Sequence, residues 1–405
     1  MSAFVCGGGL SLCSPSRPAR GGPGEAQRGG PGVKVLFRIR SDIERFPGGD
    51  EVQLRRTREA LEVLGVETAL LPGVEEMPDG FDVVHLFNTT RIHETMLQFD
   101  QARARNVPVV VSTIWHSTAE MRKFYGHVRG WPWFPLTAYQ SAKEAWYARR
   151  SGLPISWSVV LGFRAMQRQV VRDADAVLPN SDAELALLHS ELRAKPRAAF
   201  VVPNGFTFAG RSAPGGHARR DVLCVGRVEP RKNQLSVIRA FKRLPRGPHR
   251  LRLFGAMSAA HDKYTAQVRA ELVPGWVEYA GVVSQTELAV EMARSAVVVL
   301  ASFFETCGLV VLEALACGAR ACVTQSLCLQ DYYGSRVDYC DPYDEASIAA
   351  SLTAALARAP EDHTAFLRGF SWERAAEQTL RAYEYVLATR MGRTAEQPQL
   401  LMEAC

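Results

Sequence analysis

The chain has 405 residues, which exceeds the usual size of a single domain, so two domains are expected. Hydrophobic residues make up 47% of the chain, enough for two cores, but no apolar run approaches the roughly 18 to 20 residues of a membrane-spanning helix. The region around Leu10 is too short and too rich in glycine for the apolar part of a signal peptide, so a cytoplasmic protein is predicted.

The net charge of +6 is concentrated in residues 117–172, which contain nine Lys or Arg and two Glu. This segment also contains four of the chain's seven tryptophans: Trp131, Trp133, Trp146 and Trp157. Two interpretations stay open: a surface that contacts anionic membrane lipid, or a helical hairpin with its aromatic residues in the core and its cations in solvent. No nucleic-acid-binding motif accompanies the charge, so a nucleic-acid partner is not expected.

Nine cysteines occur without any C-x-x-C pair. Five of them fall between residues 307 and 340, where no histidine is interleaved. Zinc sites need closely spaced Cys and His ligands, so this pattern indicates buried, reduced thiols that act as small apolar residues.

The first half of the chain predicts a parallel sheet. Residues 1–32 are mostly Gly, Pro, Ser and Arg and predict a disordered extension. The predicted elements that follow are a strand at 34–39, a glycine turn at 46–50, a helix at 51–64, a strand at 83–87, a helix at 94–105 and a strand at 107–113. Alternating strands and helices favour a doubly wound sheet.

The second half repeats this alternation. Strands are predicted at 221–225, 251–254, 277–279, 296–300 and 320–323, with helices at 234–244, 285–292 and 309–316. A Gly- and Arg-rich stretch at 210–220 has linker composition, so we predict domains at 33–209 and 210–370, a terminal helix at 371–390 that packs back on the first domain, and a tail at 391–405. The expected fold class is α/β, with two facing Rossmann-like domains and a ligand cleft between them.

Two motifs in the second half suit a sugar nucleotide. The first is a basic loop after a strand, Val225-Gly226-Arg227-Val228-Glu229-Pro230-Arg231-Lys232-Asn233. The second places Glu305 in a strand-end loop and Glu313 in the next helix. Cations and free helix amides bind a diphosphate, and carboxylates accept hydrogen bonds from sugar hydroxyls.

These motifs resemble the Gly-Arg-x4-Lys loop and the Glu-x7-Glu element of the retaining glycosyltransferases of family 4, which have the two-domain GT-B fold. Further short matches occur in the family's order: Asp82-Val83-Val84-His85, Pro108-Val109-Val110-Val111 before His116, Ala174-Asp175-Ala176-Val177 before Asn180-Ser181, Val202-Pro203-Asn204-Gly205, and Ser371-Trp372-Glu373. The resemblance extends from about Val33 to about Leu387.

The resemblance implies roles for the residues of both motifs. Arg227 and Lys232 are expected to hold the donor's diphosphate, and Glu313 to accept the ribose hydroxyls. Glu305 is expected to be catalytic, because it would hold hydroxyls of the transferred sugar and support positive charge at the anomeric carbon. The amides of Gly308 and Leu309 would bind phosphate.

The first half supplies further candidates by the same resemblance. His116 is expected to contact the donor sugar or the reacting centre, although packing by Trp115 could also make it structural. Gly48 and Gly49 match a loop that closes over the sugar and the leaving phosphate. His85 is a weaker candidate.

Two further features of the sequence are not expected to take part in the reaction. Arg231 is predicted to face solvent. Asp173-Ala174-Asp175 imitates a metal-binding D-x-D signature, but it precedes an apolar strand, so Asp175 is interpreted as a strand-entry residue. We therefore expect neither a metal ion nor a cofactor.

The resemblance implies transfer of a sugar from a nucleoside-diphosphate donor to a hydroxyl of a glycan or lipid-linked acceptor, with retention. Polysaccharide, lipopolysaccharide or other glycoconjugate synthesis is the expected context, in the cytoplasm or at the inner face of the membrane. A nucleotide-sugar epimerase or phosphorylase of this fold, and an inactive sugar-nucleotide-binding protein, are the alternatives. The segment at 324–333 departs from the family's Gly-Gly-x-x-Glu turn, which leaves the sugar open.

Overall fold

A computed structural model describes residues 32–45, 48–150, 152–153, 162–207 and 219–393. Most of the predicted extension at 1–32, most of the predicted linker, and residues 394–405 of the predicted tail lie outside the described residues. Phe46, Pro47 and Trp157 also lie outside them.

The first half contains a five-stranded sheet. Its elements are β1 (Lys34–Ile39), α1 (Gly49–Val63), β2 (Glu67–Pro72), β3 (Val83–Phe87), α2 (Ile92–Ala104), β4 (Val109–Ser112), α3 (Thr118–Arg129), α4 (Leu136–Arg150), α5 (Phe163–Asp173), β5 (Ala176–Leu178) and α6 (Asp182–Leu192). The strands lie in the order β2-β1-β3-β4-β5 and pair in parallel. The sequence did not predict β2, because this edge strand is only partly buried and lacks the continuous apolar run of β3 and β4.

The second half contains a six-stranded parallel sheet. Its elements are β6 (Asp221–Val225), α7 (Gln234–Lys242), β7 (Leu251–Phe254), α8 (Asp262–Ala270), β8 (Val277–Gly281), α9 (Gln285–Arg294), β9 (Ser295–Leu300), α10 (Leu309–Ala316), β10 (Arg320–Thr324), α11 (Leu327–Tyr333), β11 (Asp338–Cys340), α12 (Glu345–Ala357), α13 (Thr364–Leu367) and α14 (Trp372–Arg390). The strand order is β11-β10-β9-β6-β7-β8. Two parallel α/β sheets confirm the predicted fold class.

Strand order explains where the candidate residues gather. The central strand β9 is buried along its whole length, and Glu305 lies in the loop after it. Its neighbour β6 precedes the loop of Arg227 and Lys232. Because parallel strands end at the same edge of a sheet, both loops lie at one edge.

The six cysteines within the described ranges are buried and unbridged: Cys224, Cys307, Cys317, Cys322, Cys328 and Cys340. Burial raises the pKa of the Cys307 thiol to about 11, so this group stays protonated at neutral pH.

Helix α14 follows the second half of the chain but packs against the first. Its residues Trp372 and Tyr383 belong to the same buried cluster as Phe37 of β1. The Tyr383 hydroxyl lies 2.6 Å from Nδ1 of His85, and Nε2 of His85 lies 2.9 Å from the Ser112 hydroxyl. Burial lowers the pKa of His85 to about 3, so its ring is neutral. His85 is therefore a structural residue, because its hydrogen bonds connect α14 to the first sheet.

Helix α11 connects the two halves through polar contacts. The Tyr332 hydroxyl donates to the carbonyl of Asn180 at 2.9 Å and accepts from the amide of Asn204 at 3.2 Å. Beside it, a carboxylate oxygen of Asp331 accepts from the amide of Ala183 at 2.9 Å. These bonds fix the approach of the second half to the first.

Among the helices that the structure describes, none combines the length and the apolar character needed to cross a membrane.

We expect Tyr383→Phe to destabilise the protein by about 1–3 kcal/mol, because Nδ1 of the buried His85 would lose its partner. The midpoint of thermal unfolding, followed by circular dichroism, measures this loss. Tyr385→Phe is the matched control on the same helix, since Tyr385 packs against Phe200 without a hydroxyl hydrogen bond among the described residues. Equal midpoints for the two variants would contradict the fastening role of His85.

Candidate functional site

Glu305 lies between two cations at the end of β9. Its side chain is 9% exposed and contacts the ammonium group of Lys232, while Nη1 of Arg231 lies 3.8 Å from Oε1 of the carboxylate. Burial favours the neutral acid, but the charges of Lys232 and Arg231 outweigh it and lower the pKa of Glu305 to about 2. Glu305 is therefore a carboxylate at neutral pH.

Asn233 holds the loops of this cluster together. It adopts a left-handed conformation with φ 58°, which ends the short turn carrying Lys232 and begins α7. Its side-chain amide donates to the carbonyl of Ala301 at 3.1 Å and to that of Pro342 at 2.7 Å. The amide of Phe303 also donates to the carbonyl of Arg231 at 2.9 Å. The position of Lys232 beside Glu305 is thus set by the backbone of both loops.

The prediction that Arg231 faces solvent is wrong. Its guanidinium is 31% exposed, stacks over the ring of Phe304 at 5.5 Å and approaches Glu305. The ring lies on the other motif, so no feature of the basic loop alone indicated this direction. Arg227, by contrast, lies 3.8 Å from Glu229 and is 37% exposed, and its guanidinium does not form an ion pair with Glu305.

Glu313 lies apart from this cluster, on α10. It is half-buried and lines a small recess whose other walls are Thr207, Gln285, Leu288, Ala289, Met292 and Cys317. Burial raises the pKa of Glu313 to about 7. A carboxyl group held in such a recess is suited to accept hydrogen bonds from ligand hydroxyls.

Gly308 begins α10 in a conformation that favours glycine. Its φ is +60°, and a Cβ at this position would lie 2.7 Å from Cδ2 of Leu300. The helix starts at Leu309, so the amides of Leu309 and Val310 have no partner within the helix, whereas that of Val311 donates to the carbonyl of Gly308 at 2.8 Å. An anion at this end would meet both those amides and the helix dipole.

His116 approaches the cluster from the first half. Its ring meets that of Phe304 edge to face at 5.1 Å, and its Nδ1 is buried without a hydrogen-bond partner within the described ranges. Burial and then the charge of Arg231 lower the pKa of His116 to about 4. The neutral imidazole therefore has a free nitrogen for a ligand.

Gly48 and Gly49 mark the start of α1. Gly48 is the residue before the helix and its carbonyl accepts from the amides of Glu51 and Val52. The adjacent Asp50 pairs with Arg40 at 2.9 Å, and its charge raises the pKa of His116.

The structure brings Lys232, Arg231, Glu305 and His116 together.

Asp175 lies at the entry of β5. Its Oδ2 accepts from the amide of Val109 at 2.8 Å and lies 3.7 Å from Arg103, while Asp173 pairs with Arg172. No group of three or more His, Cys, Asp or Glu side chains is placed to hold a metal ion in the part of the chain that the structure describes.

Two family models match the chain. "Glycosyl transferase 4-like domain" matches residues 9–205, and "Glycosyl transferases group 1" matches residues 214–366.

Curated relatives are similar over parts of the chain. The O-antigen chain mannosyltransferase B of Escherichia coli is 31% identical over 171 residues, which are 40% of this chain and 45% of the relative. The D-inositol 3-phosphate glycosyltransferase of Actinosynnema mirum is 32% identical over 249 residues, 54% of this chain and 59% of the relative. The chain thus spans about half the length of these relatives. The glycogen synthase of Mycobacterium tuberculosis is 28% identical over 79% of this chain and 72% of its own.

Solved structures share the fold. Sucrose-phosphate synthase from Thermosynechococcus elongatus superposes with a TM-score of 0.61 at 15% identity, covering 89% of this chain and 97% of the other. The Anabaena HepE protein, solved in complex with UDP-glucose, gives a TM-score of 0.57 at 15% identity over 89% of this chain and 100% of its own. The solved structures show the GT-B fold, and the two family models, which match both halves of the chain, show that it belongs to the GT4-type glycosyltransferases.

Proposed function

We propose that this protein transfers a hexose-type sugar from a nucleoside diphosphate to an acceptor hydroxyl with retention of anomeric configuration. The observation that supports this most strongly is the cluster of buried Glu305 with the partly buried Lys232 and Arg231, and the neutral His116 beside it. It combines an ionised carboxylate, two cations and a free ring nitrogen at one place.

The negatively charged diphosphate of the donor would bind to the cations and to the start of α10. Lys232 and Arg231 would meet the diphosphate together with the amides of Gly308 and Leu309. Arg227 would join from the same loop as Lys232 and Arg231. The recess at Glu313 would take the ribose hydroxyls. The complex of HepE with UDP-glucose supports a nucleotide-sugar donor on this fold.

The chemistry follows from the charges. The acceptor oxygen bonds to the anomeric carbon as the bond from that carbon to the diphosphate oxygen breaks, and the hydroxyl proton goes to the departing diphosphate. Lys232 and Arg231 stabilise the negative charge that develops on the leaving group, and Glu305 stabilises positive charge on the sugar. Neutral His116 holds a sugar hydroxyl through its free nitrogen.

The relatives' names support a role in glycan or glycoconjugate synthesis. They include an O-antigen mannosyltransferase, an inositol 3-phosphate glycosyltransferase and a glycogen synthase, whose acceptors differ in kind. The acceptor therefore has to be argued from this chain's own surface and pockets.

Exposed aromatic residues favour an acceptor at a membrane. Trp133 is 86% exposed, Trp146 58% and Trp131 52%, on α4 and the loop between α3 and α4. Exposed Arg129, at the end of α3, adds positive charge to this surface. These exposures oppose the interpretation that the aromatic residues are core, so we propose that this basic-aromatic surface rests on anionic lipid.

We expect Glu305→Gln to lower kcat and Glu313→Gln to raise the donor KM, each by roughly tenfold to a hundredfold, because each loses a charged acceptor of hydrogen bonds. Steady-state kinetics with the donor found by screening UDP-, GDP- and ADP-sugars measures both. Glu384→Gln, on the exposed face of α14, is the control and should match the wild type. Wild-type kinetics in all three variants would refute the site, and formation of a different sugar nucleotide would indicate an epimerase.

The donor KM is expected to fall as pH rises from about 6 to 8. The pKa of Glu313 is raised to about 7 by burial, so the carboxylate that accepts the ribose hydroxyls predominates only above that pH. Glu305, with its pKa lowered to about 2, stays ionised throughout. In Glu313→Gln, the donor KM should no longer change with pH over this range. A slope that persists in the variant would assign the titration to another group.

Excess chelator should leave the rate unchanged, because Lys232, Arg231 and Arg227 already supply positive charge for the leaving diphosphate. Initial rates with and without EDTA measure this. Activity abolished by EDTA and restored by manganese or magnesium would contradict it.

The protein should sediment with vesicles of anionic phosphatidylglycerol at low salt and be released at high salt, since salt screens the attraction. The double variant Trp131→Ser/Trp133→Ser should bind more weakly, while Val63→Ser, a change at an 81% exposed residue at the end of α1, should not. Failure of the wild type to bind at low salt would refute the membrane contact.

A further inference from the structure

Strand β2 leaves one edge of the first sheet open. Within the described residues, β2 pairs with β1 on one side and with no strand on the other. The amide of Glu67, the first residue of β2, donates to the carbonyl of Val33 at 2.9 Å. Because backbone groups alternate in direction along a strand, those of Thr68 and Leu70 point away from β1. The N–H and C=O groups of these two residues are therefore available to another strand.

An apolar cavity of about 690 Å³ opens beside this edge, between β2, the end of β1 and α1. The apolar residues of its lining are Ile39, Ile43, Leu54, Leu70 and Pro72. Leu70 is 37% exposed although it lies in the middle of β2. Proteins commonly protect edge strands with charged side chains, since an apolar edge favours pairing with another chain. The open edge and the cavity together therefore have the character of an interaction surface.

Charged side chains of α1 line this cavity in a symmetric arrangement. Four of them are 35–68% exposed and belong to Arg55, Arg58, Glu59 and Glu62. A two-fold axis between residues 58 and 59 would relate two antiparallel copies of α1 so that Arg58 of each faces Glu59 of the other. The same axis would place Arg55 of each copy opposite Glu62 of the other. Both arginines also pair with a glutamate of their own helix, and a guanidinium has donors for a second carboxylate.

Strand β2 has a matching centre of symmetry. In an antiparallel pair centred on Ala69, Thr68 of one copy faces Leu70 of the other, and the outward N–H and C=O groups of the two residues bond to each other. Within one copy, Nε of Arg58 donates to the hydroxyl of Thr68 at 2.8 Å, so the middle of α1 lies beside the middle of β2. One two-fold axis can therefore serve both the strands and the helices, which favours a second copy of the chain over an unrelated partner.

We propose that two copies of this chain associate through β2 and α1 into a two-fold symmetric dimer. Antiparallel pairing of the two β2 strands would join the two sheets into one continuous sheet. Helix α1 of each copy would cover the cavity beside Leu70 of the other, and the arginines and glutamates of the two helices would pair across the axis.

Sedimentation velocity of the full chain tests this association. The wild type should sediment as a dimer at about 100 µM, and Leu70→Arg should raise the dimer dissociation constant at least tenfold, because a cation would be placed against the apolar lining. Val290→Arg, at a 46% exposed residue of α9, is the matched control and should dimerise like the wild type. The midpoint of thermal unfolding shows that both variants are folded.

Charge reversal tests the two-fold arrangement of the helices. Arg55→Glu and Glu62→Arg should each raise the dissociation constant roughly tenfold, because each brings like charges together at two places across the axis. When the two variants are mixed in equal amounts, they should form a dimer again, since the mixed dimer pairs opposite charges at both places.

Three results would overturn the inference. A wild type that remains monomeric at about 100 µM has no stable dimer of this kind. A dimer that Leu70→Arg leaves intact is formed by another surface. Charge variants that dimerise like the wild type, or that fail to associate when mixed, contradict the two-fold pairing of α1.

Discussion

The contact of Glu305 with Lys232 and Arg231 is the interaction on which the site depends. Burial alone would raise the pKa of this carboxyl group, because burial favours the protonated acid. The cations keep it ionised, and the Asn233 and Phe303 hydrogen bonds keep the cations in place. A diphosphate would compete with Glu305 for Lys232. Binding of the donor would therefore break the contact between Lys232 and Glu305 and leave the carboxylate available to the sugar.

The two halves of the protein contribute different chemical groups to the site. The second half supplies charge, whereas the first supplies His116, which lines a pocket of aromatic and polar residues. Tyr332 and α14 hold the halves together through buried hydrogen bonds at Asn180, Asn204 and His85. Such bonds are directional, so they set the distance between donor groups and acceptor groups as well as adding stability.

Sequence patterns predicted the sheets because strands such as β9 are continuous apolar runs, and they located Glu305 and Lys232 because these residues follow strands. Edge strand β2 was missed since half-exposed residues give no such run. The direction of Arg231 depends on the ring of Phe304, more than 70 residues away in the chain, and local spacing does not contain that information. The exposure of Trp133 likewise emerged only from tertiary packing.

We propose that Lys232 turns from Glu305 to the donor's diphosphate when the donor binds. Calorimetric titration of UDP, GDP and ADP into the wild type and Lys232→Met tests it most directly, with Lys263→Met, exposed on α8, as the control. At least one nucleoside diphosphate should bind the wild type and the control with equal affinity, and Lys232→Met should weaken its binding at least tenfold, because one charged hydrogen bond is lost. Equal affinity in Lys232→Met, or no binding of any nucleoside diphosphate to the wild type, would contradict it.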